Sequence, residues 1–312
     1  MMNANRESVE AVRTFEEHRG ALFGVAYRMT GSAADAEDLV QEAYLRWSRA
    51  PHGEVRSAED YLTTVVTRLA VDHLRSARVR REEYVGPWLP EPLAGAAAEA
   101  ADARVELAES LQTAFLVVLE TLSPVERAAF LLREVFGHDY AYLAAVLDRS
   151  EESCRQLTHR ARARVAEGRP RFQASPRELG EVTHRFVEAC TGGDFDALMA
   201  VLAPDVTYLG DGGGVVQNAR NPVRGDINVA RLLLGLRAKM HTELRATIEP
   251  INAQPGIVFW EGGAPYAVTT LEVAEGRIVS VYVVNNPEKL AGIGAARGLT
   301  HTREEDDAAH SG

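Results

Sequence analysis

Between Arg149 and Arg171 seven arginines face only Glu151, Glu152 and Glu167, a local excess of four positive charges in a chain of 312 residues with a formal charge of -11. A basic cluster in an acidic chain suits a polyanion, because a phosphate backbone selects for Arg and Lys. Within it, Arg155, Gln156, His159 and Arg160 stand at positions one, two, five and six of a helical repeat. That spacing turns side chains toward base edges when a helix lies in a major groove. An Arg fork can donate to guanine O6 and N7, a Gln amide can pair with adenine, and Arg149, Arg162 and Arg164 suit phosphates. Cys154 and Leu157 fall on the opposite side, as core. A second patch carries Arg68, Arg75, Arg78, Arg80 and Arg81 against Asp72 alone. For either patch taken alone, a solvated helix face is the alternative.

Groups that could do covalent or metal chemistry are fewer. Asp205, Asp211 and Asp226 are carboxylates near a possible pocket mouth, with Tyr208, Trp260, Tyr266 and Tyr282 as candidate lining. None sits in a motif specific for catalysis, and Asp211 heads Asp211-Gly212-Gly213-Gly214, where turn geometry or an interdomain contact is the simpler reading. No third ligand is spaced to join His184 and His241, and Cys154 and Cys190 cannot make a disulfide framework, so neither a metal nor a cofactor is expected. The start of the sequence lacks a basic stretch followed by an apolar run, and no segment is long and apolar enough to span a bilayer, so a cytoplasmic protein is expected.

These side chains need elements to hold them. The length suggests two or three domains, each able to bury a core. Over residues 14 to 82, Phe15, Leu22, Val25, Ala26 and Met29, then Leu39, Tyr44, Leu45 and Trp47, recur at helical spacing. After Tyr84, three prolines in six residues force an extended linker. A helix is expected from about Val105 to Leu122, and Ser123-Pro124-Val125-Glu126 is a capping box that starts another. Gly137 stops that helix. A short helix through Leu147, a turn at Asp148-Arg149-Ser150 and the Arg-rich helix follow. This fits a helix-turn-helix and an ordinary charged helical hairpin equally well. Past Pro176, two helices precede strand-like runs at Val206–Leu209, Gly256–Glu261, Ala267–Val273 and Ile278–Val284, the last two joined as a hairpin. An α+β domain with an antiparallel sheet is expected over about 176 to 292. The polar, acidic tail is expected to be disordered.

The stretches DAEDLVQEAYLRW (Asp35–Trp47) and YLTTVVTRLAVDHLRSARVRRE (from Tyr61) resemble the second conserved domain of bacterial sigma factors. Leu122 to Val165 resembles the fourth. The ordered pair, without the intervening domain, resembles the extracytoplasmic-function (ECF) group. WLPEP (Trp88–Pro92), DGGG (Asp211–Gly214) and NPEKL (Asn286–Leu290) further resemble its SigJ-like subgroup, which carries a C-terminal SnoaL-like domain of the nuclear-transport-factor-2 (NTF2) fold. The resemblance implies two all-α domains, at 1–83 and, as a helix-turn-helix, at 105–171. Between them lies a linker over 84–104, with the α+β domain at 176–292 and a tail over 293–312.

It also implies roles. Asp35, Asp38, Gln41, Glu42 and Leu45, three, four and seven apart on one helix face, would dock the clamp helices of the RNA polymerase β′ subunit, while the fourth domain would meet the β flap. Arg68, Asp72, Arg75, Arg78, Arg80 and Arg81 would melt and read the −10 element of promoter DNA. Many group members carry an Arg-Asn pair where this chain has Thr64 to Arg68. Arg155, Gln156, His159 and Arg160 would read the −35 element. The appended domain would regulate the factor in place of a separate anti-sigma protein. The contacts would be Trp88, Leu89 and Pro90, the loop Asp211, Gly212, Gly213 and Gly214, and the segment Asn286, Pro287, Lys289 and Leu290. A small molecule in its cone would be a natural input. Relatives of that fold include enzymes, so the competing expectation is a DNA-tethered enzyme or ligand-binding regulator; the acidic face at Asp35–Trp47 separates the two, since an operator-binding regulator needs no such surface.

Overall fold

A computed structural model describes residues 2–82, 84–95, 109–168, 174–239 and 244–294, with backbone alone at 2–8, 53 and 77–82. Helices α1 (Met2–Thr30), α2 (Ala33–Trp47) and α3 (Ala58–Glu82) form the first helical unit. Ser32 caps α2 by accepting from the Asp35 backbone N–H at 3.2 Å, and Gly31, at φ +68°, makes the tight turn into it.

The second unit contains α4 (Thr113–Leu119), α5 (Pro124–Phe130), α6 (Tyr140–Leu147) and α7 (Glu151–Gly168). Helix α4 starts at Thr113, after an extended Gln112, so the helix expected from Val105 is broken there; residues 96–108 lie outside the described set. The capping box at Ser123 is formed from both sides, with Glu126 returning to the Ser123 backbone. Helix α5 runs into a wide turn over Leu131–Val135 and stops at Gly137, φ +75°. Asp148, left-handed at φ 53°, ends α6, and Ser150 caps α7 through the Ser153 N–H at 3.2 Å.

The two helical units do not have separate cores. Leu22, Tyr27 and Leu62 of the first share one buried cluster with Phe115, Leu119, Phe130 and Leu131 of the second. Only Ala129, Leu132, Leu143, Val146, Cys154 and Leu157 form a core of the helix-turn-helix itself.

The remainder is α8 (Pro176–Gly192), α9 (Phe195–Val201), β1 (Leu202–Asp211), β2 (Val223–Arg224), α10 (Asp226–Ala238), β3 (Arg245–Ile251), β4 (Gln254–Glu261), β5 (Ala264–Ala274), β6 (Arg277–Val284) and α11 (Pro287–Leu290). The sheet order is β2-β1-β6-β5-β4-β3. It is not purely antiparallel: β1 pairs parallel with β6, which is possible because α10 and two hairpins separate them in sequence. The β5–β6 hairpin turns through Glu275 and Gly276, both left-handed, as its Glu-Gly sequence leads one to expect.

Both faces of this sheet are covered, because its strands alternate between two apolar surfaces. Ile257, Phe259, Leu271, Val281 and Val283 pack under α8, α9 and α10. On the other face Val258, Trp260, Val268, Tyr282 and Val284 pack with Leu89, Leu290 and Ile293. Trp260 and Tyr282, expected to line a pocket, therefore lie on the opposite face from it. Residues 84–95 act as a strap rather than a free connection: Leu89 is completely buried, and Ala94 bridges to Ile251. Ile293, within the expected tail, is buried; residues 295–312 are outside the described set.

Candidate nucleic-acid interface

On α7, Arg155, Gln156, His159 and Arg160 are all exposed on one side, while Cys154 and Leu157 are buried on the other. Buried Leu143 and Val146 of α6 fix the angle of α7 through the shared core. Arg155 is ordered twice, by Glu151 at 2.7 Å and by stacking 5.1 Å from the centre of the Tyr140 ring. The other arginines are held by acids from neighbouring helices. Arg160 reaches Glu126 at 3.3 Å, Arg164 reaches Glu126 at 2.9 Å, and Arg162 reaches Glu134 at 2.6 Å. Burial opposes ionisation of Glu126, but hydrogen bonds from Ser123 and the charges of Arg160 and Arg164 outweigh it and hold its carboxyl below the ordinary glutamate range. The arginine ends of these pairs are half exposed, so solvent screens them and they stay within reach of a phosphate, while Glu126 itself is buried. Arg149 is exposed at the turn.

On α3, Arg75 pairs with Asp72 at 3.1 Å, both exposed. Arg78, Arg80 and Arg81 lie on the helix, but their side chains are outside the described set. Arg68 is differently employed. Its Nε donates to the Val146 carbonyl at 2.8 Å and an amino group donates to that of Ala145 at 2.7 Å, capping the last turn of α6, where a cation is favoured. Tyr142 on α6 donates to the Asp60 carbonyl at 3.2 Å. On α2, Asp38, Gln41 and Leu45 are exposed and Asp35 and Glu42 half-buried, with Asp35 3.4 Å from His73 and Glu42 3.0 Å from Arg46.

The three short motifs converge on one carboxylate. Asp211 is fully buried at the end of β1. Its Oδ1 accepts from the Tyr84 hydroxyl at 2.5 Å and the Gly213 N–H at 3.1 Å; Oδ2 accepts from the Leu89 N–H at 2.8 Å and Lys289 Nζ at 2.7 Å. Lys289 also donates to the Leu89 carbonyl at 2.5 Å and lies 4.1 Å from the centre of the Trp88 ring. Burial, reinforced by the hydrogen bond to Asp211 and its negative charge, pushes the Tyr84 phenol well above its usual range. Gly213, at φ +62°, brings the loop against Asn286, and a Cβ there would collide with that amide. Asn286 caps α11 by accepting from the Glu288 N–H at 3.1 Å, with Pro287 at the first helical position and Leu290 buried below. Gly212 is buried, Gly214 packs near Val85, and Pro90 is buried in the strap.

Several residues in these contacts were not singled out by sequence reasoning. Asn252, in the left-handed turn between β3 and β4, accepts from the Leu93 N–H at 3.1 Å and donates to the Tyr27 hydroxyl at 2.7 Å. Tyr27 in turn donates to the Glu91 carbonyl at 2.6 Å. Glu91 accepts from the Ala33 N–H at 2.8 Å, so the strap is tied to the first helical unit as well as to the sheet. Arg28 and Arg127, both almost completely buried, join the helical units: Arg28 donates to Ser110 at 2.7 Å, and Arg127 to the Met29 carbonyl at 2.6 Å and to Glu120 at 2.7 Å. The available signal was an arginine interrupting an apolar helix face.

Residues 14–80 match the family description Sigma-70 region 2, and residues 112–165 match Sigma-70, region 4. The ECF RNA polymerase sigma factor SigJ of Mycobacterium tuberculosis is 39% identical over 293 residues, which cover 90% of this chain and 93% of the relative. The chain belongs to the ECF RNA polymerase sigma factors. A probable ECF sigma factor of the same species, SigI, is 34% identical over 284 residues, covering 90% of this chain and 95% of that one. The crystal structure of the M. tuberculosis SigJ factor superposes with a TM-score of 0.74 at 37% identity, covering 90% of this chain and 98% of that one. As an ECF sigma factor, the chain binds core RNA polymerase and promoter DNA and initiates transcription, and the sigma-factor family is not enzymatic. The two helical units are sigma regions 2 and 4, followed by the α+β SnoaL-like domain.

Proposed function

We propose that this sigma factor is held closed by its own SnoaL-like domain and needs no separate anti-sigma protein. The observation that carries this is the buried Asp211 with its four donors, which ties the strap between regions 2 and 4 to the C-terminal sheet. Arg68 is meanwhile spent on α6. The −10 and −35 elements lie about 25 base pairs apart, or about 85 Å at 3.4 Å per base pair, whereas region 2 and region 4 share one core. They must separate before both elements can be read. Release would free Arg68 to join Asp72, Arg75, Arg78, Arg80 and Arg81 on the −10 element, while Arg155, Gln156, His159 and Arg160 read the −35 element. Arg149, Arg162 and Arg164 hold phosphates, and the factor works in the cytoplasm.

The exposed α2 face is assigned to the β′ clamp helices, with region 4 meeting the β flap. Combined Asp38→Lys and Glu42→Lys is expected to abolish binding to core polymerase in a pull-down while leaving the melting curve unchanged; retained binding would assign docking to another face. Arg155→Ala is expected to weaken binding to a −35 duplex by about 1–3 kcal/mol per base contact and to relax specificity there. Equal loss on scrambled duplex, measured by fluorescence anisotropy, would reduce Arg155 to a phosphate contact.

The C-terminal domain is proposed to bind rather than catalyse. Asp211 is consumed by the interdomain contacts, and among the described residues no Asp or Glu lines the cone between α8, α10 and the sheet.

A further inference from the structure

The cone holds a cavity of about 60 Å3 that opens to solvent. Its wall is apolar, built from Leu233 and Leu236 of α10, Phe259 of β4, Ala267 of β5 and Val283 of β6. Among the described residues one cation meets it, Arg237, exposed at the end of α10. The Arg237 guanidinium is anchored by Nε donating to the Thr191 carbonyl at 3.0 Å, with one amino group against the Gly193 turn. The Cys190 thiol in the same wall has its pKa pushed up to about 12 by burial, against the pull of Arg237, so it adds no competing negative charge.

We propose that this cone binds a short-chain monocarboxylate, its tail among Phe259, Leu233 and Val283 and its carboxylate on Arg237. A dry apolar cavity of about 150 Å3 admits benzene, so one of about 60 Å3 takes a tail of about three carbons. Planar two-point donation from a guanidinium selects a carboxylate over an alcohol or an amine.

The cavity wall is continuous with the interdomain contact. Tyr208, which lines the cavity, donates through its hydroxyl to Asn218 at 2.8 Å; Asn218 donates to the Asn285 side chain at 2.8 Å. The backbone N–H groups of Asn285 and Asn286 donate to the Asp211 carbonyl at 2.9 and 3.0 Å. An occupant that moved Tyr208 would act on the residue that holds the strap, so the ligand is the input to the closed state proposed above and in that respect rests on it. It could shift that state only by binding the open and closed forms unequally.

The test is a ligand-observed NMR titration of the full chain with sodium butyrate, with 1-butanol as the uncharged counterpart. Saturable binding of butyrate at one site is expected, at least tenfold weaker for 1-butanol, and at least tenfold weaker for butyrate on Arg237→Gln. Leu236→Trp, which fills the half-buried mouth from an exposed helix, is expected to abolish it. No saturable butyrate binding, equal binding of 1-butanol, or full binding to either variant overturns the proposal. The titration reads occupancy alone. A butyrate site in a chain whose transcription is insensitive to breaking the Asp211 contact upholds the site and removes the control; raised transcription without a butyrate site does the reverse.

Discussion

Asp211→Ala is expected to destabilise the chain by about 3–5 kcal/mol and to loosen the strap over residues 84–95. Asp211 is fully buried, and Lys289, its ionic partner, is almost so. Removing one side of a buried pair leaves the other charge uncompensated, which is far more costly than losing an exposed pair. The Tyr84 hydroxyl and the Leu89 and Gly213 N–H groups lose their acceptor in the same step. Urea unfolding would give the magnitude, and limited proteolysis within residues 84–95 the location. The apolar seat of Leu89 against Trp260 and Leu290 remains, so the strap should become cleavable without the whole chain unfolding. Asp211→Asn keeps the shape but offers an amide donor to Lys289 or to the Leu89 N–H, and should cost less than Ala but more than an exposed substitution. A change below about 0.5 kcal/mol on Asp211→Ala would mean the apolar contacts alone hold the domains together.

Arg127→Met should act at the other joint, between regions 2 and 4, with a loss of about 3 kcal/mol. The side chain is 3% exposed and donates to the Met29 carbonyl and Glu120. Methionine keeps most of the volume, so the loss reports the hydrogen bonds and the ion pair of Arg127 rather than a cavity. Arg155→Met, exposed on α7, is the control and should stay within about 0.5 kcal/mol. Thermal unfolding of both variants checks the difference.

Much of the helical half could be read from local rules. The capping box at Ser123, the stop at Gly137, the turn at Asp148 and the exposed quartet on α7 each follow from short-range chemistry, and each is present. Long-range choices were not legible. The β3 strand (Arg245–Ile251) carries alternating polar residues and a proline at an edge position, which mask its strand pattern. The parallel β1–β6 pairing depends on connections rather than residues. At the interdomain contact, DGGG, WLPEP and NPEKL were visible as motifs, but their convergence on one carboxylate was not. Asn252 gave no signal at all, since its role depends on Tyr27, 225 residues away. Arg68 illustrates the limit best: its sequence suits a phosphate, and in the folded chain it caps α6.

The central claim is that a sigma factor is restrained by its own C-terminal domain. Run-off transcription with core polymerase tests it most directly, comparing at saturating factor the full chain, Asp211→Ala and a chain ending after Arg171. Promoter-dependent transcripts from all three are expected, with more from the two released forms than from the full chain. Equal or lower output from both released forms, at matched core binding, would contradict the restraint.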